Sequence, residues 1–549
     1  MSIVIGIDIG TSGIRAQAIE LESKKVLSTA ITLRHPLPGS NVMDHLDFCI
    51  NNGVEIGHRI VIQAIENLLL NLDVDLRKVE RIAVCGNPIQ LSIFQGIEIR
   101  DLAYAGDAAL EALGISRIER KATVTSADKI GLEVLNPKVD VCIPPAAIHM
   151  IGADAIAMIV KSGMLDKKEI ALVTDYGTNA EIGLKVGDEI YTGSCAAGPA
   201  IEGQEIEMGM LASPGAISDI NSSNGELQIT VLDDAMIGHQ SYSVDGTNGS
   251  ITKKFDTYIH PKGITGTGTI ALVYTGMRNG LIRLPRIMTP DRKIHLYSND
   301  IYFTEKDLIE AGKAFGAFRA GHLTLVNHLG LKVKDIEIAY MAGAGGTYVD
   351  ALKAQALGLL PPTVKHIYQV GNTSLAFACD IAKDPNVLDL AQEMSDRIRR
   401  THIMFPLEQD FKNAYIVELG FWSGMPMNMF RDFLKRYKLP EYPDREFAPE
   451  IHRIVMRDIP ILGEKGLHVV RDIGTILVGE FEGCTGCASC QNACIEQALK
   501  VIETERGFKI VIKTELCDGI SCKKCEEACP IDVFDYSRLI VEERSKQKS

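Results

Sequence analysis

Eight of the thirteen cysteines of this chain crowd its C-terminal stretch, and their spacing is the first sign of chemistry. They run Cys484-x2-Cys487-x2-Cys490-x3-Cys494, then Cys517-x4-Cys522-x2-Cys525-x3-Cys529-Pro530. Thiolates two, two and three apart let a tight loop wrap one face of an iron–sulfur cube, while the fourth cysteine, carried off on a short helix, reaches the neighbouring cube. That crossing rule assigns Cys484, Cys487, Cys490 and Cys529 to one 4Fe–4S cluster, and Cys494, Cys517, Cys522 and Cys525 to a second. In the second run Asp518 to Ile520 lie in a widened gap, and in the first Ile495 stands where proline is usual. Neither change removes a ligand. Zinc and disulfides are the rival uses. Zinc takes four ligands in two pairs and needs no second three-plus-one run, and disulfides need an oxidising compartment.

A second chemistry is written at the other end of the chain. Residues 3–20 read as a β-branched strand, a Gly-Thr-Ser-Gly turn and a strand of alternating polarity, which is a hairpin. Asp8 closes the first strand. Gly10 and Gly13 let backbone N–H groups approach an anion, and the Thr11 and Ser12 hydroxyls can donate to it. The pattern returns as Asp175-x-Gly177-Thr178-Asn179. Two copies in register predict two like-folded halves facing across a cleft, each offering a hairpin to a polyphosphate, with Asp8 and Asp175 aimed at a magnesium ion. Hard oxygen ligands suit that ion, which keeps several waters. Two purely structural hairpins are the alternative.

Asp154, beside Gly152 and Ala153 at a helix start, can orient a water or the metal; equally, it can be a carboxylate stabilising the helix dipole. Residues 336–360 read as strand, turn and helix, with Gly343, Gly345 and Gly346 leaving bare backbone for a ligand. A helix over 305–329 carries Lys313, Arg319 and His322, which either lie on an adenine ring or form a solvated face.

These sites need several cores to hold them. At 549 residues, two to four domains are expected. An apolar fraction of 46% with 23% charged residues is ordinary for a globular protein, and a net charge of −14 argues against nucleic acid and anionic membranes. No basic, then apolar, leader opens the chain, and no apolar run is long enough to span a bilayer. Cys49, Cys85, Cys142, Cys195 and Cys379 sit singly in apolar surroundings and read as buried free thiols. A reducing cytoplasm and anaerobic conditions are the expectation. Residues 55–72 form an amphipathic helix, 225–262 a β-rich excursion, and 391–475 a connecting region of unassigned role.

Taken together, residues 8–13, 175–179, 343–346 and Asp154 resemble the phosphate, adenosine and connecting motifs of the sugar-kinase, heat-shock-chaperone and actin ATPases. Gly86-Asn87, Gly198-Pro199 with Glu202-Gly203, Gly263 to Gly268 and Gly371-Asn372 resemble motifs of the reductive activators of corrinoid proteins, over roughly residues 1–390. That resemblance implies an α/β fold: a two-lobed, actin/sugar-kinase-like (ASKHA) ATPase at 1–390 with lobes of about 1–155 and 156–390. A bacterial-type two-cluster ferredoxin domain of α+β character follows at 476–540. A C-terminal cluster module in place of the N-terminal 2Fe–2S domain of bacterial relatives is similar to the methanogen activases. The implied activity is ATP- and Mg2+-dependent one-electron reduction of Co(II) to Co(I) in the corrinoid proteins of methylamine methyltransferases, fed by an upstream low-potential electron donor. Asp8, Asp154 and Asp175 would be catalytic; the glycines and hydroxyls of the three motifs would bind nucleotide. The alternatives are an activator of another low-potential metalloenzyme, or a small-molecule kinase with a redox-sensing module.

Overall fold

The run Ile3–Ile9 is buried along its whole length, as a strand covered on both faces must be. In the computed structural model, which describes residues 2–39, 41–103, 107–148, 151–177, 179–195, 205–505 and 507–542 (without the side chains of 107–109), this strand sits centrally in a seven-stranded sheet. The order is Leu467–Val470, Val26–Thr32, Ile14–Glu20, Ile3–Ile9, Val79–Gly86, Asp140–Ile143, Thr123–Ser126. The hairpin partner Ile14–Glu20 is antiparallel and Val79–Gly86 is parallel, so that Asp8 is flanked by Arg15 on one side and Cys85 on the other.

Two compact units divide the chain: Met1–Asp154 with Ser374–Ser395 and Ile461–Ser549, and Ala155–Thr373 with Asp396–Pro460. In the first, helix Thr373–Lys383 lies so close to the central strand that a Cβ on Gly6 would meet Cys379 Sγ at 2.6 Å. That contact brings residues 374–395 back onto the first sheet. Strand Leu467–Val470 then pairs with the edge strand Val26–Thr32 and leads into a four-stranded antiparallel sheet, Leu499–Thr504, Gly507–Lys513, Ile476–Glu480, Ile540–Glu542. That small sheet underlies the cysteine runs.

The second unit repeats the plan of the first. Its seven strands run His402–Ile403, Glu189–Cys195, Ala180–Val186, Ala171–Asp175, Ile338–Ala342, His366–Gly371, Glu450–Arg453. Here Asp175 stands opposite Ala342 of the parallel neighbour, as Asp8 stands opposite Cys85. The β-rich excursion is a five-stranded sheet between Ala216 and Ile264. Helix Glu305–His328 starts on a capping box formed by Thr304 and Asp307. Gly312 and Gly316 open a groove on it in which helix Gln409–Trp422 lies: a Cβ on either would come within 2.8 Å of Trp422 or Glu418.

Arg319 and His322 neither form a solvated face nor wait for an adenine, being only 4% and 2% exposed. Arg319 donates to both Glu418 oxygens, at 2.6 and 2.5 Å, inside a cage of Phe421, Phe430 and Tyr442. Lys313 stays outside, paired with Glu310. The stretch 391–475, expected as one connecting region, is split between the units: its helices cover the second, and its last residues extend the first sheet. No helix among the described residues is long and apolar enough to cross a membrane.

Candidate functional site: two phosphate hairpins and two cysteine nests

The first hairpin turns at 10–13, where the Gly10 N–H donates to the Gly13 carbonyl at 3.0 Å. Gly10 therefore closes the turn with its own amide instead of presenting it to an anion, and Thr11 and Ser12 form the half-buried tip. Gly13 is needed for closeness: a Cβ there would lie 2.8 Å from the Thr32 carbonyl. Asp8 is 5% exposed, with the Arg15 guanidinium 3.6 Å away. Asp154 lies in the first turn of helix Ala153–Ser162, whose approach is held tight by Gly152 against Pro88. Asp8 and Asp154 converge on Cys85: its thiol is pushed well up, by burial first and then by these two carboxylates. Asp8 and Asp154 thus both lie near Cys85.

In the second unit, Asp175 ends its strand half-buried, followed by Gly177 and Asn179; Thr178 lies outside the described residues, as do Gly198 to Gly203. Gly343, Gly345 and Gly346 form not a free turn but half of a six-residue helix, Gly343–Tyr348, that starts directly at the strand end. Their missing side chains face protein. A Cβ on Gly343 (φ +78°) would meet Asp175 Oδ1 at 2.2 Å, and one on Gly345 would meet the Tyr176 carbonyl at 2.4 Å. The motif thus lays a helix against the second hairpin. Gln369 holds that helix from below, donating to the carbonyls of Gly346 and Val349 at 2.8 and 2.9 Å.

The cysteines of the two runs gather in two nests. A pocket is lined by Cys484, Cys487, Cys490 and Cys529 together with Phe481 and Phe534. In the other nest burial pushes the Cys525 thiol up to about 12, with Cys517, Cys522 and Cys494 as its charged neighbours. Each run places the residue after its second thiol in the left-handed region, Ala488 at φ +60° and Lys523 at φ +51°, so that a short helix can begin. Backbone N–H groups of Gly519 and Val533 donate to the sulfurs of Cys517 and Cys529, both at 3.4 Å. Soft donors in two sets of four, with amides aimed at sulfur, fit two cubane clusters. Cys49, Cys85, Cys142, Cys195 and Cys379 are buried and none of them is in a disulfide.

Two family profiles cover most of the chain: the RACo middle region matches residues 3–167, and the C-terminal domain of RACo, the ASKHA domain, matches residues 169–431. A protein of Methanosarcina barkeri named "[Co(II) methylated amine-specific corrinoid protein] reductase" is 44% identical over 94% of this chain and 95% of its own. The chain belongs to the RACo family of reductive activators of corrinoid proteins. The corrinoid activation enzyme RamQ of Eubacterium limosum is 25% identical, over 65% of this chain and 60% of its own. A solved structure, the reductive activator for a corrinoid, iron–sulfur protein, superposes with a TM-score of 0.61 at 25% identity, over 76% of this chain and 66% of that one. The RACo profiles end at residue 431, so the cysteine nests lie beyond them.

Sequence reasoning overlooked Arg15, which carries its charge to Asp8 from the facing strand; the period-two register of the hairpin was signal enough. It also overlooked His366, Glu450 and His452, which meet across an edge strand and its neighbour with the ring nitrogens of the histidines 3.3 Å apart. Nothing in linear spacing joins positions so distant.

Proposed function

We propose that the protein is an ATP-dependent iron–sulfur oxidoreductase that returns methyltransferase corrinoid proteins from inactive Co(II) to Co(I), in methylamine-dependent methanogenesis. The observation that carries this is 44% identity over 94% of the chain with a relative named for that reduction. The substrate is cobalt held by the corrinoid protein of a methylamine methyltransferase, and an upstream low-potential donor renews the electron. When bound, two 4Fe–4S clusters supply single electrons, at potentials such clusters span from about −700 to +450 mV. Cys484, Cys487, Cys490 and Cys529 would hold one, and Cys494, Cys517, Cys522 and Cys525 the other.

Asp8, Asp154 and Asp175 would hold Mg2+ and the attacking water, supported in the first unit by the convergence of Asp8 and Asp154 on Cys85. Arg15, 3.6 Å from Asp8, would add its charge beside the bound phosphates. Thr11, Ser12, Thr178 and Asn179 would donate to phosphate oxygens, with Gly13 and Gly177 keeping the two turns slim. The helix begun by Gly343, Gly345 and Gly346 would set the nucleoside against the second hairpin. An acceptor lying about 100 mV below its donor costs about 2.3 kcal/mol, at roughly 59 mV per tenfold. Nucleotide-driven coupling is typically about 1–3 kcal/mol, which covers that gap. Buried thiols outside any disulfide and oxygen-sensitive ligand sets support a reducing cytoplasm.

The test is to mix dithionite-reduced protein, Mg-ATP and an oxidised methylamine corrinoid protein without oxygen and to follow the cobalt spectrum. Co(I) should appear only with ATP. Reduction that ignores ATP, or no reduction at all, rejects the reading.

A further inference from the structure

The second cysteine run departs from the first by two extra residues between its first two thiols, and the structure shows what those residues touch. Gly39 donates its N–H to the Cys517 carbonyl at 2.8 Å. Asp44 accepts from the Ser521 amide at 3.2 Å and from its hydroxyl at 2.5 Å. The Arg34 guanidinium pairs with Asp518 at 3.3 Å and also with Glu496, two residues past Cys494. Arg34 therefore grips both segments that carry the four thiols of one nest. Gly519, at φ +80°, forms the tip: a Cβ there would lie 2.8 Å from Asp44 Cγ and 2.9 Å from Gly39 Cα. Thr514 adds a bond to the Pro36 carbonyl at 2.7 Å. By contrast, the pocket of the other nest is lined wholly by residues between Phe481 and Phe534.

The same short segment reaches the first hairpin. Thr32, two residues before Arg34, accepts the Ile14 N–H at 2.7 Å, and its carbonyl is what forbids a side chain on Gly13. A second line runs from Asp44 to its neighbour His45, whose ring meets Gln90 at 2.6 Å. The Gln90 backbone N–H in turn donates to Asn87 Oδ1, beside the Gly86 that abuts Ile9. All of these residues belong to the first unit.

We infer that the widened Cys517–Cys522 loop is a clasp coupling the first phosphate hairpin to one of the two clusters, with Arg34 and Asp44 as its positioning residues. The inference rests on the nucleotide and cluster assignments above. A shift of the turn at Gly13 moves Thr32, and with it the cation two residues on. A cation beside a cluster favours its reduced form, and hydrogen bonding and charge around the sulfurs are what set cluster potential. The nest built on Cys517 answers to nucleotide; the nest built on Cys484 does not.

The experiment is an anaerobic redox titration of the full chain followed by electron paramagnetic resonance, with and without Mg-ATP, alongside nucleotide affinity and iron content. In the unaltered protein one cluster signal should shift in midpoint potential on adding Mg-ATP, while the other stays put. Arg34→Gln should keep nucleotide affinity but lose the shift, and Arg34→Lys should restore part of it. Asp44→Ala, which removes the acceptor for Ser521, carries the same comparison should Arg34→Gln shed iron. A shift undiminished in both variants, or the absence of any shift in the unaltered protein while ATP-dependent Co(I) still forms, overturns the clasp and leaves the proposed activity standing. A normal shift with no Co(I) leaves the clasp and removes the activity.

Discussion

At the scale of single residues, the three carboxylates are held by different means, and that orders their substitutions. Asp8 is buried beside Arg15, so Asp8→Asn keeps the shape and removes the charge. ATP-dependent Co(I) formation should fall on the order of 100-fold or more, with little change in melting temperature. Gly343→Ala tests packing instead: φ of +78° and a 2.2 Å approach to Asp175 Oδ1 leave no room. It should destabilise the chain by about 1–3 kcal/mol and weaken nucleotide binding, read together by thermal melts with and without ATP. Asp8, Asp175 and the glycines were visible in the sequence because two copies of one short pattern stand in register. The direction in which the glycines face was not, because absence of a side chain records closeness without saying to what. Arg319 was misread for a related reason: a charged residue on a helix reads as solvated until its partner, Glu418, arrives from a distant helix.

At the scale of elements, the crossing of the two cysteine runs predicts a swap of losses. Cys529→Ser should remove the cluster held by the first run, and Cys494→Ser the cluster held by the second, each leaving one resonance signal and about half the iron. The helix pair Glu305–His328 and Gln409–Trp422 makes a separate prediction, since it buries the Arg319–Glu418 ion pair completely. Glu418→Gln strands a cation in an aromatic cage and should lower stability by roughly 3–5 kcal/mol in denaturant titration. Hairpins, the β-rich excursion and the long helix were legible because each has a local period. The edge strands Leu467–Val470 and Glu450–Arg453 were not: each is four residues long and is defined only by the strand it joins.

At the scale of the whole molecule, the first unit is assembled from three separated segments, and truncations should respect that. A chain ending at Arg471 keeps the strand that covers Val26–Thr32 and should still bind nucleotide while losing all cobalt reduction. A chain ending at Pro460 leaves that edge bare and should aggregate, which sedimentation would register. The like plan of the two sheets was legible from the repeated hairpins; the return of the chain to its first unit was not, since contacts such as Gly6 with Cys379 leave no mark on either neighbourhood. The late arrival of residues 467–470 also bears on biosynthesis. The ribosome must finish the entire second unit before it delivers the strand that completes the first sheet. During that interval the Val26–Thr32 edge has no strand beside it, an exposed row of amides and carbonyls open to other nascent chains until residues 467–470 emerge.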